Sequence, residues 1–170
     1  MISVLDRVAA LAIADELGQV FAASFDDANA EHFATDQLPT HADRDDFKLV
    51  AARDENVVGF AYGFTGKRGQ WWSDRVGEAI GPELTAEWIG GHFEVVELAV
   101  LPDARRQGIG TALMQELMRD LPNLRALLTT YVDDRPAPRL YRRLGWKLLV
   151  PDLGWGSALY GMDRGMPVDR

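Results

Sequence analysis

A short glycine-containing stretch has the residue types of a phosphate-binding turn. It runs from Val100 to Leu113, with the sequence VLPDARRQGIGTAL, and joins a strand-like run to a helix-like run. Gly108 and Gly110 let the backbone approach a ligand closely, and the N–H groups at a helix N-terminus attract anions. Arg105 and Arg106 add positive charge. The stretch therefore predicts a site for phosphate.

Other reactive sites fit the chain poorly. A P-loop needs G-K-S/T, which is absent, and a dinucleotide-binding turn needs a third glycine where Leu113 stands. The chain has no cysteine, and its serines lack the G-x-S-x-G context, so no covalent nucleophile is evident and direct group transfer is the remaining route. His32, His41 and His92 show no ligand spacing with acids, and we predict no metal.

Two glutamates precede the turn on a run that predicts a central strand, His92 to Leu101, ended by Pro102. Burial of Glu94 or Glu97 in such a strand would raise its pKa, which suits a general base near neutral pH. Plain alternation puts the two acids on opposite faces, but a β-bulge would change that, so both remain candidates. A solvent-facing or ion-paired role is the alternative for each, and His92 is a third candidate base.

Two motifs resemble the GCN5-related N-acetyltransferase (GNAT) family. Arg105 to Gly110, RRQGIG, is similar to the family's R/Q-x-x-G-x-G/A coenzyme A signature, and Leu98 to Pro102 is similar to its L-x-V-x-P strand end. Ala137 to Trp146, APRLYRRLGW, resembles the later A-x-x-L-Y-x-x-x-G-F/W signature. One departure is Asp134, where many members carry asparagine.

The resemblance implies acetyl-CoA as the acyl donor. It places the pyrophosphate on the backbone of Arg106 to Thr111 and pairs the pantetheine arm with main-chain groups of Leu98 to Val100. Tyr141 would protonate the leaving thiolate, and the base would be Glu97, as in many bacterial members, or Glu94, as in the histone-acetylating branch. The cofactor-binding residues predicted in this way are Leu98, Ala99, Val100, Arg105, Arg106, Gln107, Gly108, Ile109, Gly110, Thr111, Asp134 and Tyr141.

The motifs together predict an N-acetyltransferase. It would move an acetyl group from acetyl-CoA to a primary amine of a small molecule or peptide by direct attack in a ternary complex. The alternative is a non-catalytic acyl-CoA-binding or sensor module, in which Glu94, Glu97 and Tyr141 are structural.

Length and charge narrow the class of protein further. With 170 residues, 47% of them hydrophobic, the chain predicts one globular domain over residues 1–170. Its 18 basic and 26 acidic residues give a net charge of −8, which disfavours nucleic-acid and membrane partners. No apolar run reaches about 18 residues, and we expect a cytoplasmic protein, with a homodimer left open.

Periodicity predicts the elements around these residues. Apolar residues from Leu5 to Phe21 recur at helical spacing, whereas Asp26 to Asp46 is polar and predicts a loop with at most a short helix. Phe47 to Arg53 and Val57 to Thr65 predict a β-hairpin, and Gly66 to Gly91 an inserted lobe. The remaining predicted elements are a helix over Gly108 to Leu121, a strand over Ala126 to Val132, a helix over Ala137 to Leu144, and strands over Lys147 to Val150 and Gly156 to Met162.

This order of elements predicts an α+β fold. The expected architecture is a three-layer α/β/α arrangement around a mixed, mostly antiparallel sheet of about six to seven strands. It is also the acyl-CoA N-acyltransferase fold that the resemblance implies.

Overall fold

The chain forms one seven-stranded sheet, in a computed structural model that describes residues 1–165. The strands are β1 (Ile2–Leu5), β2 (Lys48–Arg53), β3 (Val57–Thr65), β4 (Phe93–Val100), β5 (Arg125–Tyr131), β6 (Lys147–Val150) and β7 (Ser157–Asp163). Their order in the sheet is β1-β2-β3-β4-β5-β7-β6.

The strand directions confirm a mixed, mostly antiparallel sheet. β2 is antiparallel to β1 and to β3, with Val50 opposite Val4 on one side and Ala61 on the other. β7 is antiparallel to β5 and β6, whereas β4 and β5 are parallel, with Glu94 opposite Leu127. The predicted α+β fold class is therefore confirmed.

Helices fill most of the connections between the strands. Within residues 1–165, a π-helical turn (Phe33–Gln37) joins α3 to α4, and a 3-10 turn (Pro102–Ala104) follows β4. The α-helices are α1 (Arg7–Ala12), α2 (Ala14–Ser24), α3 (Ala30–His32), α4 (Leu38–Ala42), α5 (Trp71–Ile80), α6 (Pro82–Trp88), α7 (Ile109–Met118) and α8 (Pro136–Arg143).

Two predictions for the N-terminal part are wrong. The helix expected from Leu5 starts only after β1, because the chain pairs with β2 up to Leu5 and Asp6 then caps α1 by accepting from the Ala9 N–H. The segment Asp26 to Asp46 is not a loop, since α3, the π-helical turn and α4 run through it. The predicted hairpin, lobe and later helices and strands are present, with ends that differ by a few residues.

Contacts within the chain define two compact units, and the first contains Met1–Phe64 and Val95–Asp120. In this unit both faces of β2 are covered. Leu49 and Ala51 belong to a core with residues of α2, the π-helical turn and β3, while Val50 and Ala52 are buried on the other face, where α7 packs on β2. Helix, sheet and helix thus form three layers within this unit.

The second unit contains Thr65–Glu94 and, among the described residues, 121–165. Its core joins α5 and α6 to β5 and β7 through Val76, Trp88, Leu127 and Leu159. Gly161 permits the Trp88 indole to lie against β7, because a Cβ atom there would come within 2.8 Å of the ring. The prediction of a single domain over residues 1–170 stays a prediction.

Candidate functional site

Glu97 lies on β4 in the first unit, with its carboxylate held by a side chain from the π-helical turn. The strand forms because a β-branched and apolar run, ended by Pro102, pairs in the sheet. Glu97 is half-buried, and its Oε1 accepts a hydrogen bond of 3.1 Å from Nε2 of Gln37. Burial raises the pKa of Glu97 from 4.5 to about 7, against the smaller lowering effect of the Gln37 hydrogen bond.

Glu94 has a different setting. It is the last residue of β4 that belongs to the second unit, is only 5% exposed, and lies opposite Leu127 of β5. The two glutamates predicted as candidate bases therefore occupy separate compact units. Glu97 combines partial access to solvent with a raised pKa, and it is the better placed of the two for moving protons near neutral pH.

The main-chain groups of β4 alternate between its two edges. The Leu101 N–H donates to the Val58 carbonyl oxygen of β3 at 2.8 Å, so Ala99 and Leu101 direct their main-chain groups towards β3. Leu98 and Val100 direct theirs to the opposite edge. By this alternation, Leu98 and Val100 are the two of the three residues predicted to pair with the pantetheine arm whose main-chain groups face away from β3, and the Val100 carbonyl oxygen accepts from Nε of Arg105. The pairing itself stays a prediction.

The turn after β4 is braced by Arg105. Its Nε donates to the carbonyl oxygen of Val100, and its Nη2 to the carbonyl oxygen of Ser24 at the end of α2, each at 3.0 Å. Arg106 and Gln107 are exposed, and Arg106 has a φ of 63°, which is uncommon for a residue with a side chain. Arg105 therefore shapes the turn in addition to adding positive charge.

Helix α7 begins directly after this turn with open amide groups. Gly108 is its N-cap in the left-handed conformation (φ 78°), and a Cβ atom there would meet no atom within 4 Å. The first helical hydrogen bond runs from the Ala112 N–H to the Gly108 carbonyl oxygen, and no side chain among residues 1–165 caps the helix. Ile109, Gly110 and Thr111 thus supply the N–H groups of the first turn of α7. N–H groups in this position of a helix bind phosphate.

Tyr141 lies on α8 in the second unit, in the helix's last turn. Tyr141 is 7% exposed, and its ring packs edge-on against Trp146, with the ring centroids 6.2 Å apart. Asp134, just before the helix, accepts a hydrogen bond of 2.8 Å from Arg142 and is largely exposed. This ion pair gives Asp134 a structural partner and does not test the predicted contact with a cofactor.

His92, the third candidate base, is poorly suited to that role. It is fully buried, its Nδ1 accepts from the Gly90 N–H at 3.0 Å, and burial lowers its pKa to about 4. An imidazole with so low a pKa is a weak base at neutral pH.

Comparison with known proteins gives the family. The family model described as acetyltransferase (GNAT) family matches residues 11–146, about four-fifths of the chain. The chain is a member of the GNAT family. The predicted resemblance is thereby confirmed, and the motifs that carried it lie within the matched residues.

Two curated relatives align with part of this GNAT chain. The GCN5-like protein acetyltransferase Rv2170 of Mycobacterium tuberculosis is 36% identical over 102 residues, which cover 55% of this chain and 50% of that protein. An N-alpha-acetyltransferase of Sulfurisphaera tokodaii is 43% identical over 103 residues, which cover 58% of this chain and 55% of that protein. The chain spans about half the length of each of these relatives.

Among solved structures, the PaiA N-acetyltransferase of Thermoplasma acidophilum in complex with coenzyme A has the same fold. It superposes with a TM-score of 0.65 at 14% identity, covering 96% of this chain and 99% of that one.

Within residues 1–165 of the GNAT chain, no helix is long and apolar enough to cross a membrane, and no group of three acidic or histidine side chains could hold a metal ion.

Three residues connected to Glu97 by hydrogen bonds in this GNAT chain are not predicted from the sequence. Gln37, Tyr62 and His41 form a hydrogen-bonded series that ends on the carboxylate of Glu97. Gln37 and His41 fall in the segment predicted as a loop, and the sequence predicts Tyr62 only as part of a hairpin strand. The spacing of four between Gln37 and His41 is the one signal in the sequence that could have suggested a shared helical face.

Proposed function

We propose that the protein transfers an acetyl group from acetyl-CoA to a primary amine by direct attack in a ternary complex. The observation that carries this proposal is the succession, within one compact unit, of a strand bearing a desolvated glutamate, a glycine turn and an uncapped helix N-terminus. Membership of the GNAT family supports the same reaction.

The turn and α7 are proposed to bind the pyrophosphate of acetyl-CoA. The residues present fit such a group, because the backbone before α7 opens onto free space at Gly108 and the first-turn amides have no side-chain cap within residues 1–165. Arg106, exposed beside the turn, adds positive charge. Main-chain groups of Leu98 and Val100 would hold the pantetheine arm along the edge of β4 opposite β3.

Glu97 is proposed to accept the proton of the attacking amine. An amine must be neutral to attack a thioester, and amines are mostly protonated near pH 7. A carboxyl group whose pKa is about 7 is half ionised at that pH, so it can both take up a proton and release it again. Glu94 is retained as the alternative base.

Tyr141 is proposed to supply a proton to the departing thiolate, as the family resemblance implies. Its buried ring gives the hydroxyl a defined direction.

The acceptor is proposed to be an amine of a peptide or a small molecule. Two relatives named as a protein acetyltransferase and an N-alpha-acetyltransferase make peptides with a free N-terminus the first compounds to test.

Calorimetric titration with acetyl-CoA, coenzyme A and ATP tests donor binding. We expect saturable binding of both coenzyme A compounds and none of ATP. Thiol release from acetyl-CoA is then measured with N-terminally free peptides, lysine peptides and polyamines, for the wild type and Glu97→Gln. If acetyl-CoA binds but none of these amines causes thiol release, the acyl-CoA-binding module is favoured. If acetyl-CoA does not bind, the proposed function is refuted.

A further inference from the structure

The π-helical turn places an uncharged side chain against the proposed base. Phe33 and Leu38 are both fully buried although they are five residues apart, a spacing that in an α-helix places side chains about 140° apart around the axis. The wider turn, closed by the Leu38 N–H donating to the Phe33 carbonyl oxygen, allows both to face the core. Gln37 is thereby directed towards Glu97, 60 residues away in the chain.

The amide group of Gln37 uses both of its protons. Nε2 donates to the hydroxyl oxygen of Tyr62 at 3.0 Å and to Oε1 of Glu97 at 3.1 Å. The Tyr62 hydroxyl lies 2.8 Å from Nδ1 of His41. Four side chains from the π-helical turn, α4, β3 and β4 are therefore linked in series.

The series has a direction. Burial and the nearby positive charge of Arg44 lower the pKa of His41 to about 4, so its ring is neutral at neutral pH. In the neutral tautomer that carries the proton on Nε2, Nδ1 of His41 accepts from the Tyr62 hydroxyl, whose oxygen then accepts from Gln37. With the amide in this orientation, its nitrogen and not its oxygen faces Glu97, which favours the ionised carboxylate.

Packing holds this orientation in place. Tyr62 is completely buried, and its ring lies among Phe33, Phe47 and Phe60 at centroid distances of 6.2, 5.8 and 6.4 Å. Its hydroxyl cannot move far from Gln37 without disturbing that core. Titratable and charged groups around the series include Tyr62 on β3, His41 on α4 and Arg44 just after α4.

We infer that Gln37 is a positioning residue for Glu97, and that Tyr62 and His41 fix the orientation of its amide. Gln37 occupies Oε1 and stabilises the charged form, while Oε2 accepts no hydrogen bond from residues 1–165 and is the atom available to the amine proton. The inference rests on the proposed function, in which Glu97 is the base, and it adds a residue that sets how basic Glu97 is.

The test is a carbon-13 NMR titration of the Glu97 carboxyl in glutamate-labelled protein, with the signal assigned by its loss in Glu97→Gln. Gln37→Leu keeps the apolar stem but removes the donor. We expect it to raise the pKa of Glu97 by about one unit, the size expected for one lost hydrogen bond to a charged group. Tyr62→Phe keeps that bond but frees the amide, and a rise of about half that size is expected.

Asp36→Asn is the matched control, because Asp36 lies on the same turn with its side chain 67% exposed. It should leave the Glu97 titration unchanged. The acidic limb of kcat/KM for the best amine should move with the NMR value in Gln37→Leu, whereas a purely structural role would lower turnover without moving that limb.

The outcomes distinguish the positioning role of Gln37 from the proposed role of Glu97 as the base. If Gln37→Leu and Tyr62→Phe both leave the Glu97 titration where it is in the wild type, the positioning role is wrong, whatever the activity. If Gln37→Leu does not fold, as judged by circular dichroism, Tyr62→Phe alone decides. Full turnover by Glu97→Gln would instead remove Glu97 as the base, a result that the NMR titration, made without substrate, does not affect.

Discussion

Ionisation of Glu97 should lower the free energy of unfolding as the pH rises, and Glu97→Gln should remove this loss of stability. The pKa of its carboxyl is raised from 4.5 to about 7 in the folded protein. Between these values the folded state keeps a proton that the unfolded chain has released. Stability therefore falls as pH rises from about 4.5 to 7 and is constant above that range, as far as this group is concerned.

The size of the effect follows from the shift in pKa. Each pKa unit corresponds to about 1.36 kcal/mol, so the shift sets an upper value of roughly 3 kcal/mol. Because Glu97 is half-buried and retains some contact with water, we expect about 1–3 kcal/mol. Glutamine at this position stays uncharged and can still accept from Gln37, so the variant should be more stable than the wild type by that amount at pH 8 and nearly equal to it at pH 4.5.

Two histidines act in the opposite direction and must be removed from the comparison. The pKa values of His41 and His92 are lowered from 6.5 to about 4, so their contribution to stability is present above pH 6.5 and is lost as the pH falls towards 4. Both are present in the wild type and in Glu97→Gln. Subtracting one stability curve from the other therefore cancels them and leaves the contribution of Glu97.

The assay is urea unfolding at pH 5, 6, 7 and 8, followed by tryptophan fluorescence and circular dichroism, whose transitions must coincide for the free energies to be compared. Glu55→Gln, in the exposed turn between β2 and β3, is the control for removing one carboxylate. A difference between Glu97→Gln and the wild type that stays constant from pH 5 to 8 would refute the desolvation of Glu97, and with it the physical basis of its role as base.

Three further predictions concern the donor site and the proposed acid. Tyr141→Phe should lower turnover by about 100-fold, the usual contribution of a general acid, and leave acetyl-CoA affinity within about twofold in calorimetry; unchanged turnover would remove the assignment. Gly108→Val should weaken acetyl-CoA binding by roughly tenfold or more, because a side chain at φ 78° is strained and fills the space before α7; normal affinity in a folded variant would contradict the loop assignment. Arg105→Ala should weaken binding by several-fold by releasing the carbonyl oxygens of Val100 and Ser24, and Arg105→Lys, which cannot span both, should restore little of it.

The donor half of the site could be predicted from sequence because its signals are local. Pro102 ends β4, and Gly108, in a conformation that glycine favours, stands at the residue before α7 begins. Strand, turn and helix all lie between Phe93 and Met118, so no long-range contact is needed to recognise them. The edge of β4 towards which the main-chain groups of Ala99 point depends on pairing with β3. Only the structure shows that pairing.

The sequence predicts a loop from Asp26 to Asp46 because only some of the buried residues there keep helical spacing: Ala34, Leu38 and Ala42 are four apart, but Phe33 does not fit that series. Phe33, Ala34, Leu38 and Ala42 are buried, and the step of five from Phe33 to Leu38 is that of a π-helical turn. A search for spacings of three and four cannot register that step, and the many polar residues around it then predict a loop. The short strand β1 was missed for a related reason, because its four residues merge with the apolar pattern of the helices that follow.

The chemical competence of Glu97 is likewise a property of the fold rather than of its neighbours in the chain. A glutamate in the same motif, left in water, would have a pKa near 4.5 and would hold few protons at neutral pH. Desolvation alone would raise the value and favour the neutral acid, which cannot accept a proton from an amine. Gln37, brought in from a turn 60 residues away, opposes that rise by donating to the ionised form. A value near 7 requires both effects, so variants that share the signature but lack such a donor should have acidic limbs in their pH profiles that lie at higher pH.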